Sequence, residues 1–357
     1  MKINYTPGPL LDASRTTPTA LWNDSADLDE LRQSIAFGGV GATCNPVIGY
    51  TTIKKHPDIW EDRIRAIAEN NPTWESPKSD GRPSRTCQSK PQSSSSRSSS
   101  STRAETVVSP SRPIRAASRR QALADQAEEF SNLAPNIIVK IPCTSVGIEA
   151  IEEATYRGVS VNVTVSFTVP QAVKSAEAIE RGLQRRAAEG KPIDEMGPVV
   201  TIMAGRLDDW LKIVAERDRL FIDPGHLEWA GIAAIKRANQ IFVERGFHSR
   251  VLCAAFRNVL QWSELIGGDL VVSPPFKWQK RINDSDYHVV PRIDEPVAAE
   301  HLDALKKIPE FMRAYDPDGM TIKEFDTFGA TRRTLRQFLQ ADADLDTLVR
   351  DIITPAI

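Results

Sequence analysis

One lysine lies in a stretch that is otherwise apolar. Lys140 belongs to the run NIIVKIP (136–142) and has Ile138 and Pro142 as neighbours. Lysine is among the residue types least often fully buried without a partner. Apolar surroundings disfavour the ammonium form and lower its pKa, and a neutral amine can attack a ketose carbonyl to form a Schiff base. The structural alternative is a lysine that extends from the strand end into solvent, and Lys140 taken alone leaves both interpretations open.

Other short apolar runs also end in polar residues. These are Asp24 after TALWN, Thr43 and Asn45 in GATCNP, Asn162 and Thr164 in VSVNVTVSF, Thr201 in PVVTIMAG, and Arg206 and Arg257 just past two later runs. Each has a structural alternative: Asp24 could cap a helix, Asn45 could form a turn, and Arg206 could pair with a nearby aspartate on the surface. The choice depends on whether the fold brings them together.

The elements that must position these residues are short strands alternating with longer helical stretches. The apolar runs cover 19–25, 41–46, 136–142, 159–167, 198–205, 250–256 and 269–275. Most are continuous rather than alternating, as in parallel strands buried on both faces. Repeated β–α units predict a parallel sheet, and a closed (β/α)₈ TIM barrel is the natural interpretation, with an open doubly wound sheet as the alternative. Since active sites of such barrels lie at the C-terminal strand ends, the polar residues are predicted to converge on one rim.

Residues 79 to about 118 break this pattern. The segment is rich in Ser, Arg and Pro, as in QSSSSRSSS, and is typical of a disordered linker. A structureless insert of this length is unusual inside a compact barrel, and it occupies the place of the third strand and its preceding helix. We therefore predict that the third β–α unit is disrupted, leaving two open sheet edges and a chain that is poorly active and poorly soluble.

A reading-frame shift is one hypothesis for this segment, and a natural Ser-rich insertion is the other. With GC-rich codons, the neighbouring frame of QSSSSRSSS can be read as ELLLPVFE, and the wider stretch can give a helix followed by the strand-like GRLSIQTDPR. Both would fill slots that the barrel lacks. Sequencing the gene across codons 75–125 decides between the two, because codons incompatible with the shifted words exclude the frame shift.

Composition excludes several classes of function. The net charge is −2, so no broad field for nucleic acid or an anionic membrane is expected. The four cysteines are scattered without a CxxC pair, which argues against a metal site or a disulfide scaffold. No leader-like or membrane-length apolar run appears, so a soluble cytoplasmic protein is expected.

The chain is predicted to have one barrel and one extension. Residues 1–275 form the barrel, interrupted at about 79–118, and 276–357 form C-terminal helices packed on it, including EHLDALKKIPEFMRAY and TRRTLRQFLQADADLDTLVRDII. The extension could instead contribute to a subunit interface. The sequence leaves open whether the protein is a homodimer.

Five consecutive motifs resemble those of the transaldolase family of class I Schiff-base aldolases. They are GATCNP, IIVKIPCTSVGIEAI, RGVSVNVTVSFTVPQA, TIMAGRLDDW and AAFRN, in family order and at barrel spacing, within about residues 17–275. The resemblance implies a (β/α)₈ barrel that transfers a dihydroxyacetone unit between sugar phosphates in the non-oxidative pentose phosphate pathway. It implies no cofactor, because the lysine itself is the electron sink.

The resemblance also implies a role for each polar residue. Lys140 resembles the Schiff-base lysine, Asp24 the acid/base of the first strand, and Thr164 the threonine that holds a catalytic water. Asn45 and Asn162 resemble the amides that orient lysine and substrate, with Thr43 beside them. Arg206 and Arg257 resemble the arginines that bind the substrate phosphate, for which a planar guanidinium is suited.

The sequence departs from the family at three places. Thr201 stands where serine is common, Ala255 stands where serine is usual, and the third-strand glutamate has no counterpart in the chain as written. The shifted frame gives glutamine in that slot, as in the fructose-6-phosphate aldolase branch. Three outcomes therefore stay open: a transaldolase, a fructose-6-phosphate aldolase-type lyase, and an inactive chain with a damaged barrel.

Overall fold

The strands form one parallel sheet that curls around an axis. The computed structural model describes residues 3–70, 103–107 and 116–355. Within them the strands are β1 (Ala20–Asn23), β2 (Gly41–Ala42), β3 (Arg103–Val107), β4 (Ile137–Pro142), β5 (Val161–Thr164), β6 (Val199–Met203), β7 (Arg250–Ala254) and β8 (Val271–Val272). Each pairs in parallel with the next along the chain, and β8 pairs with β1. The predicted α/β class with a curved, TIM-like sheet is confirmed, and the open doubly wound alternative is not found.

Helices surround this sheet. Those that precede or follow the strands are α1 (Pro9–Thr16), α2 (Leu28–Ala36), α3 (Pro46–Lys55), α4 (Pro57–Glu69), α5 (Ala116–Ser131), α6 (Ser145–Tyr156), α7 (Val169–Ala188), α8 (Ala204–Arg217), α9 (Pro224–Leu227), α10 (Ala230–Arg245) and α11 (Leu260–Ser263). Several begin at a side-chain cap: Thr144 accepts from the amide of Gly147, and Thr168 from that of Gln171. Each cap starts a helix a few residues after a strand ends, which places the loops that carry chemistry at one rim.

The two faces of the strands belong to two different cores. Leu21, Val139, Val161, Val200 and Val251 point outward into the large core shared with the helices. The residues between them point inward and form a separate apolar cluster of Trp22, Ile138, Val199, Leu252 and Val271. Side chains alternate along a strand, so burial on both faces explains the continuous apolar runs of the sequence.

The third strand differs from the prediction. β3 pairs with β2 through Arg103 and Ala104, and with β4 through Ala104 to Val107. The prediction of open edges on either side of a missing strand is therefore wrong for the described residues, because the backbone of 103–107 pairs with both β2 and β4. β3 also contains Glu105, opposite Ile138, although no third-strand glutamate was expected. The rest of the aberrant segment, 79–102 and 108–115, lies outside the described residues, as does the helix expected before β3.

The chain after β8 is helical. It forms α12 (Phe276–Asn283), α13 (Ala299–Lys306), α14 (Pro309–Tyr315), α15 (Ile322–Phe325) and α16 (Gly329–Ile353). The first four pack on neighbouring helices of the outer layer, α12 on α1 and α14 on α10. The long α16 contacts α3 and α4, which follow β2, and α8, which follows β6. Among the described helices, none combines the length and the apolar character that crossing a bilayer requires.

Candidate active site

The interior of the sheet changes from apolar to polar toward the C-terminal strand ends. Ile138 belongs to the inner apolar cluster, and Lys140 follows it by two residues on the same face of β4. Val199 and Thr201 repeat this pattern on β6, and Trp22 is followed in the same way by Asp24 just beyond β1. Alternation alone therefore places a layer of polar side chains above an apolar floor.

Lys140 is buried inside this layer. Lys140 is only 7% exposed, and its Nζ donates to the backbone carbonyl of Cys44 at 3.2 Å. Its backbone lies opposite Asn162 on β5. The alternative of a lysine that extends into solvent is therefore not found, and the amine lies within reach of the β2–α3 loop.

Asp24 is held beside the lysine by a threonine. Thr43 Oγ1 donates to Asp24 Oδ1 at 2.5 Å and lies 3.2 Å from Ser273 Oγ after β8. Burial raises the pKa of Asp24 above its usual 3.8, opposed by the charge of Lys140, the Thr43 hydrogen bond and the charge of Arg206. Asp24 does not cap α2; Asp27 does, by accepting from the amides of Asp29 and Glu30. The charges of Lys140 and Arg206 therefore both act on the Asp24 carboxyl group.

Two amides have different partners. Asn162 is fully buried, and its Oδ1 accepts from Thr201 Oγ1 at 2.7 Å, which orients the amide within the polar layer. Asn45 caps α3, with Oδ1 accepting from the amide of Ile48 at 3.1 Å. Asn45 lies at the rim, as predicted, and its side-chain oxygen is used to cap α3.

Thr164 ends β5 opposite Pro142 and is nearly buried. The next residue, Val165, has a φ of 53°, a left-handed conformation that is costly for a β-branched side chain. Gln171 supports this turn by donating to the Val165 carbonyl at 3.4 Å and accepting from the Phe167 amide at 2.9 Å. The chain therefore leaves the strand sharply just after Thr164.

Arg206 is held by the C-terminal helix. Its Nη1 donates to Thr334 Oγ1 at 3.2 Å and Gln337 Oε1 at 2.7 Å, and its Cζ lies 5.3 Å from the ring centroid of Phe338. Its Nε is buried and has no hydrogen-bond partner among the described residues. Burial and the charge of Arg257 lower the pKa of Arg206 to about 10, so it remains cationic at neutral pH. The side chain does not form the predicted alternative ion pair.

Arg257 lies close by, on the loop after β7. Its Nε donates to Asp209 Oδ2 at 3.0 Å, its Nη2 lies 2.8 Å from the same oxygen, and its Nη1 donates to the carbonyl of Ala255 at 3.1 Å. Gly205 permits this approach, since a Cβ there would lie 2.1 Å from the Ala255 carbonyl oxygen. The two predicted arginines therefore share one part of the rim.

A buried relay supports the Arg257 loop. Asp208 Oδ1 accepts from the Gly231 amide and its Oδ2 from Gln261 Nε2, both at 2.7 Å. Gln261 Oε1 in turn accepts from the backbone amide of Arg257 at 2.5 Å. Burial raises the pKa of Asp208 well above its usual value. The relay ties Arg257 to the interior, although Ala255 adopts a strained φ of 61° beside it.

The structure therefore brings the predicted residues to one rim, and it adds others. Ser273 was missed, although a polar residue directly after the run LVV was a usable signal. Thr334, Gln337 and Phe338 were missed because an amphipathic helix gives no sign of what its faces will contact. Among the described residues, no cluster of three or more His, Cys, Asp or Glu side chains is arranged for a metal ion.

The chain is similar to a known protein family and to several individual proteins. Residues 21–315 match the family model described as transaldolase/fructose-6-phosphate aldolase. A probable transaldolase of Petrotoga mobilis is 25% identical over 254 residues, 70% of this chain and 81% of that protein. A transaldolase of Prochlorococcus marinus is 27% identical over 182 residues, 51% and 48% of the two chains. Transaldolase 2 of a Nostoc species is 38% identical over 73 residues, 20% and 19%. The chain thus covers only 48% of the Prochlorococcus protein and 19% of the Nostoc protein.

Proposed function

This chain belongs to the transaldolase/fructose-6-phosphate aldolase family, and from that premise we propose that it transfers a dihydroxyacetone unit between sugar phosphates through a Schiff base at Lys140. The observation that carries the proposal is the buried Nζ of Lys140 in the same polar layer as Asp24. A buried lysine that interacts with a carboxyl group of raised pKa is the pair that aldol cleavage requires.

The first steps form the Schiff base and break a carbon–carbon bond. The neutral Nζ of Lys140 adds to C2 of the ketose to give a carbinolamine. Uptake of one proton from solvent and loss of the C2 hydroxyl as water then leave a protonated imine. The Asp24 carboxylate then takes the proton of the C4 hydroxyl, the C3–C4 bond breaks, and its electron pair moves into the imine to give an enamine. The aldehyde departs as the first product. The raised pKa of Asp24 favours such a proton transfer near neutral pH.

The enamine has two fates. In a transferase it attacks the carbonyl carbon of an acceptor aldose phosphate, Asp24 returns the proton to the new alkoxide, and water releases the product from Lys140. In a lyase a proton adds to the enamine carbon and water releases free dihydroxyacetone. We assign the water to Thr164, and the orientation of substrate hydroxyls to Asn162, with Thr201 fixing its amide. Thr43 orients Asp24, and Asn45 acts from the rim.

Arg206 and Arg257 are proposed to bind the phosphate. They lie close enough for the charge of Arg257 to lower the pKa of Arg206, which makes an anion between them favourable. A guanidinium also pairs with phosphate oxygens through two parallel hydrogen bonds. The loss of a serine at Ala255 removes one donor, so these two cations carry the recognition.

Borohydride trapping tests the central claim. Incubation with fructose 6-phosphate and borohydride is expected to reduce the Schiff base and add mass to the peptide that contains Lys140. Lys140→Met should abolish the labelling, while Lys174→Met, which changes a lysine paired with Glu177 on α7, should not. Labelling that survives in Lys140→Met would refute the assignment. No labelling of the unaltered chain would support the alternative of an inactive protein.

A second assay separates the transferase from the lyase. Fructose 6-phosphate is supplied with and without erythrose 4-phosphate, and free dihydroxyacetone and sedoheptulose 7-phosphate are quantified. Transfer predicts product only with the acceptor. Accumulation of free dihydroxyacetone at the same rate with or without the acceptor would indicate the aldolase-type lyase.

The finer architecture is also a proposal. We propose a full set of eight β–α units whose third unit is altered by the aberrant segment, with 276–357 as a helical extension on the barrel. The closed pairing β1 to β8 supports this arrangement. A cytoplasmic location and sugar-phosphate substrates follow from the proposed pathway, and sedimentation measurements test the homodimer left open by the sequence.

A further inference from the structure

One face of α16 delivers three side chains to a single guanidinium group. Thr334, Gln337 and Phe338 are separated by three and four residues, so they project from the same side of the helix. Two of them accept hydrogen bonds from Arg206 Nη1, and the third places its ring beneath Cζ. Thr334 and Phe338 are buried in this contact. The guanidinium is therefore oriented by the C-terminal helix and not only by the barrel.

This contact occupies one edge of the guanidinium. In arginine, Nε and Nη2 share the edge opposite Nη1, and that edge forms two parallel hydrogen bonds with an oxyanion. The α16 acceptors bind Nη1, while Nε is buried without a partner among the described residues. A buried donor without an acceptor is costly, and an anion at that edge would relieve the cost. Burial and the charge of Arg257 also lower the pKa of Arg206, which means that its cation is destabilised, and a bound anion would offset this.

Arg257 differs in how the same edge is used. Its Nε and Nη2 both lie against Asp209 Oδ2, at 3.0 Å and 2.8 Å. Arg257 must loosen this pair before its Nε–Nη2 edge can receive a phosphate, whereas the Nε of Arg206 has no partner to release among the described residues. The two arginines are therefore not equivalent, and Arg206 is the one prepared to bind.

We propose that Thr334, Gln337 and Phe338 are positioning residues of the phosphate subsite, which hold Arg206 so that its Nε–Nη2 edge faces an incoming sugar phosphate. This inference rests on the proposed function. It makes the C-terminal extension a part of the substrate site and not a packing element alone. None of the three residues is expected to touch the reacting carbons, so their effect falls on recognition of the phosphorylated substrate.

Docking of α16 does not depend on Gln337. Further along the helix, Leu345, Val349 and Ile352 form an apolar cluster with Ile53 and Ile64 of α3 and α4. Gln337 itself is exposed at the rim. Substitution of Gln337 should therefore leave the helix in place and alter only the support of Arg206.

The test uses Gln337→Met in the full chain, which preserves length and removes the acceptor. KM for fructose 6-phosphate is expected to rise about tenfold, the effect of losing one hydrogen bond to a charged group. The kcat should stay within about twofold, and kcat/KM for unphosphorylated fructose should not change. Gln340→Met on the same helix is the matched control, because Gln340 bonds to Asp344 at the exposed surface. Thr334→Val should shift KM in the same direction.

The outcomes separate this inference from the proposed function. Equal KM values for Gln337→Met and Gln340→Met would overturn the role of α16, even when borohydride with dihydroxyacetone still labels Lys140. Should the unaltered chain not be labelled by either ketose, the proposed function fails first. The subsite is then read from inorganic phosphate alone, which should raise the Tm of Gln340→Met more than that of Gln337→Met. Equal Tm shifts would again overturn the inference.

Discussion

The two sides of the polar rim of the curled sheet are built in different ways. The lysine side consists of side chains on or next to strands, which bond to one another or to the backbone carbonyl of Cys44; it is made of Asp24, Thr43, Lys140, Asn162 and Thr201. The arginine side, made of Arg206 and Arg257, starts from the ends of β6 and β7, and its charged groups are positioned by Asp209 and by α16.

Under the proposed function, this difference separates the residues assigned to chemistry from those assigned to recognition. Strand alternation leaves little freedom of direction to a residue such as Thr201 or Asn162, so the lysine side is determined by the strands of the sheet. A guanidinium lies several rotatable bonds from its backbone, and its direction depends on whichever acceptors surround it. Changes on the lysine side should therefore affect kcat, and changes on the arginine side should affect KM.

Lys140→Met is expected to have the largest effect. Without the amine no imine forms, and turnover should fall by about 10⁴-fold or more, since a covalent nucleophile cannot be replaced by its neighbours. The methionine matches the apolar floor below it, so the thermal midpoint should not decrease. A residual activity within tenfold of the parent would break the assignment of chemistry to the lysine side.

Asp24→Asn should lower kcat by about 10³-fold, the range of general acid–base catalysis, with little change in KM. It should also stabilise the protein at pH 7. Burial raises the folded pKa of Asp24 above 3.8, so the folded state holds its proton more tightly and loses stability as pH rises through that window. Asparagine does not carry this penalty, and the Tm should rise by about 2 °C at pH 7. The Tm difference should vanish well below pH 3.8, where the carboxyl group is protonated in both the folded and the unfolded state. A difference that persists there would exclude the titration of Asp24 as its cause.

Arg206→Lys sharpens the contrast between the two sides. Lysine keeps the charge but lacks the two-donor edge, so KM for fructose 6-phosphate should rise about a hundredfold while kcat changes little. Arg257→Lys should raise KM less, by about tenfold. Arg257 must break its ion pair with Asp209 to bind phosphate, so its net contribution to substrate binding is smaller. A larger effect at Arg257 than at Arg206 would reverse their proposed order.

Gln261→Met is expected to have the smallest effect of this series. It removes the acceptor of the Arg257 amide and the donor to Asp208, and the loop after β7 should become less ordered. KM should rise by about threefold to fivefold, since the arginine itself is retained. Gln240→Met, which alters an exposed bond to Glu244, is the control. Equal kinetic constants for both variants would show that the relay does not position Arg257.

Much of the fold and the lysine side followed from local pattern. The seven predicted runs each contain one observed strand, because residues buried on both faces of a parallel sheet leave a continuous apolar signature. The third strand could not be predicted in this way. Its residues Arg103–Val107 carry no apolar run, and only the unpaired edges of β2 and β4 give the segment a place to pair.

The candidate site also contains residues that the sequence could predict and residues that it could not. Lys140 could be found from sequence because a charge within an apolar run is anomalous at any position. Ser273 and Asn45 also have a local signal, because each is a polar residue that closely follows a strand. The support of Arg206 by Thr334 and Gln337, and of Arg257 by Gln261, has no local signature. Contacts between a loop and a distant helix depend on the path of the chain between them.

The order of residues along the strands determined by itself which side chains share the inner face of the curled sheet and where apolar residues give way to polar ones. The reason is that an extended chain alternates its side chains whatever surrounds it. This order thereby selected the lysine, the carboxyl group and the amides of the rim. Only the tertiary structure decided which edge of each arginine is free, since that depends on α16 and Asp209 reaching the rim from elsewhere in the fold. Local geometry is a short-range property of the backbone, whereas the direction of a long charged side chain is set by the partners that folding brings to it.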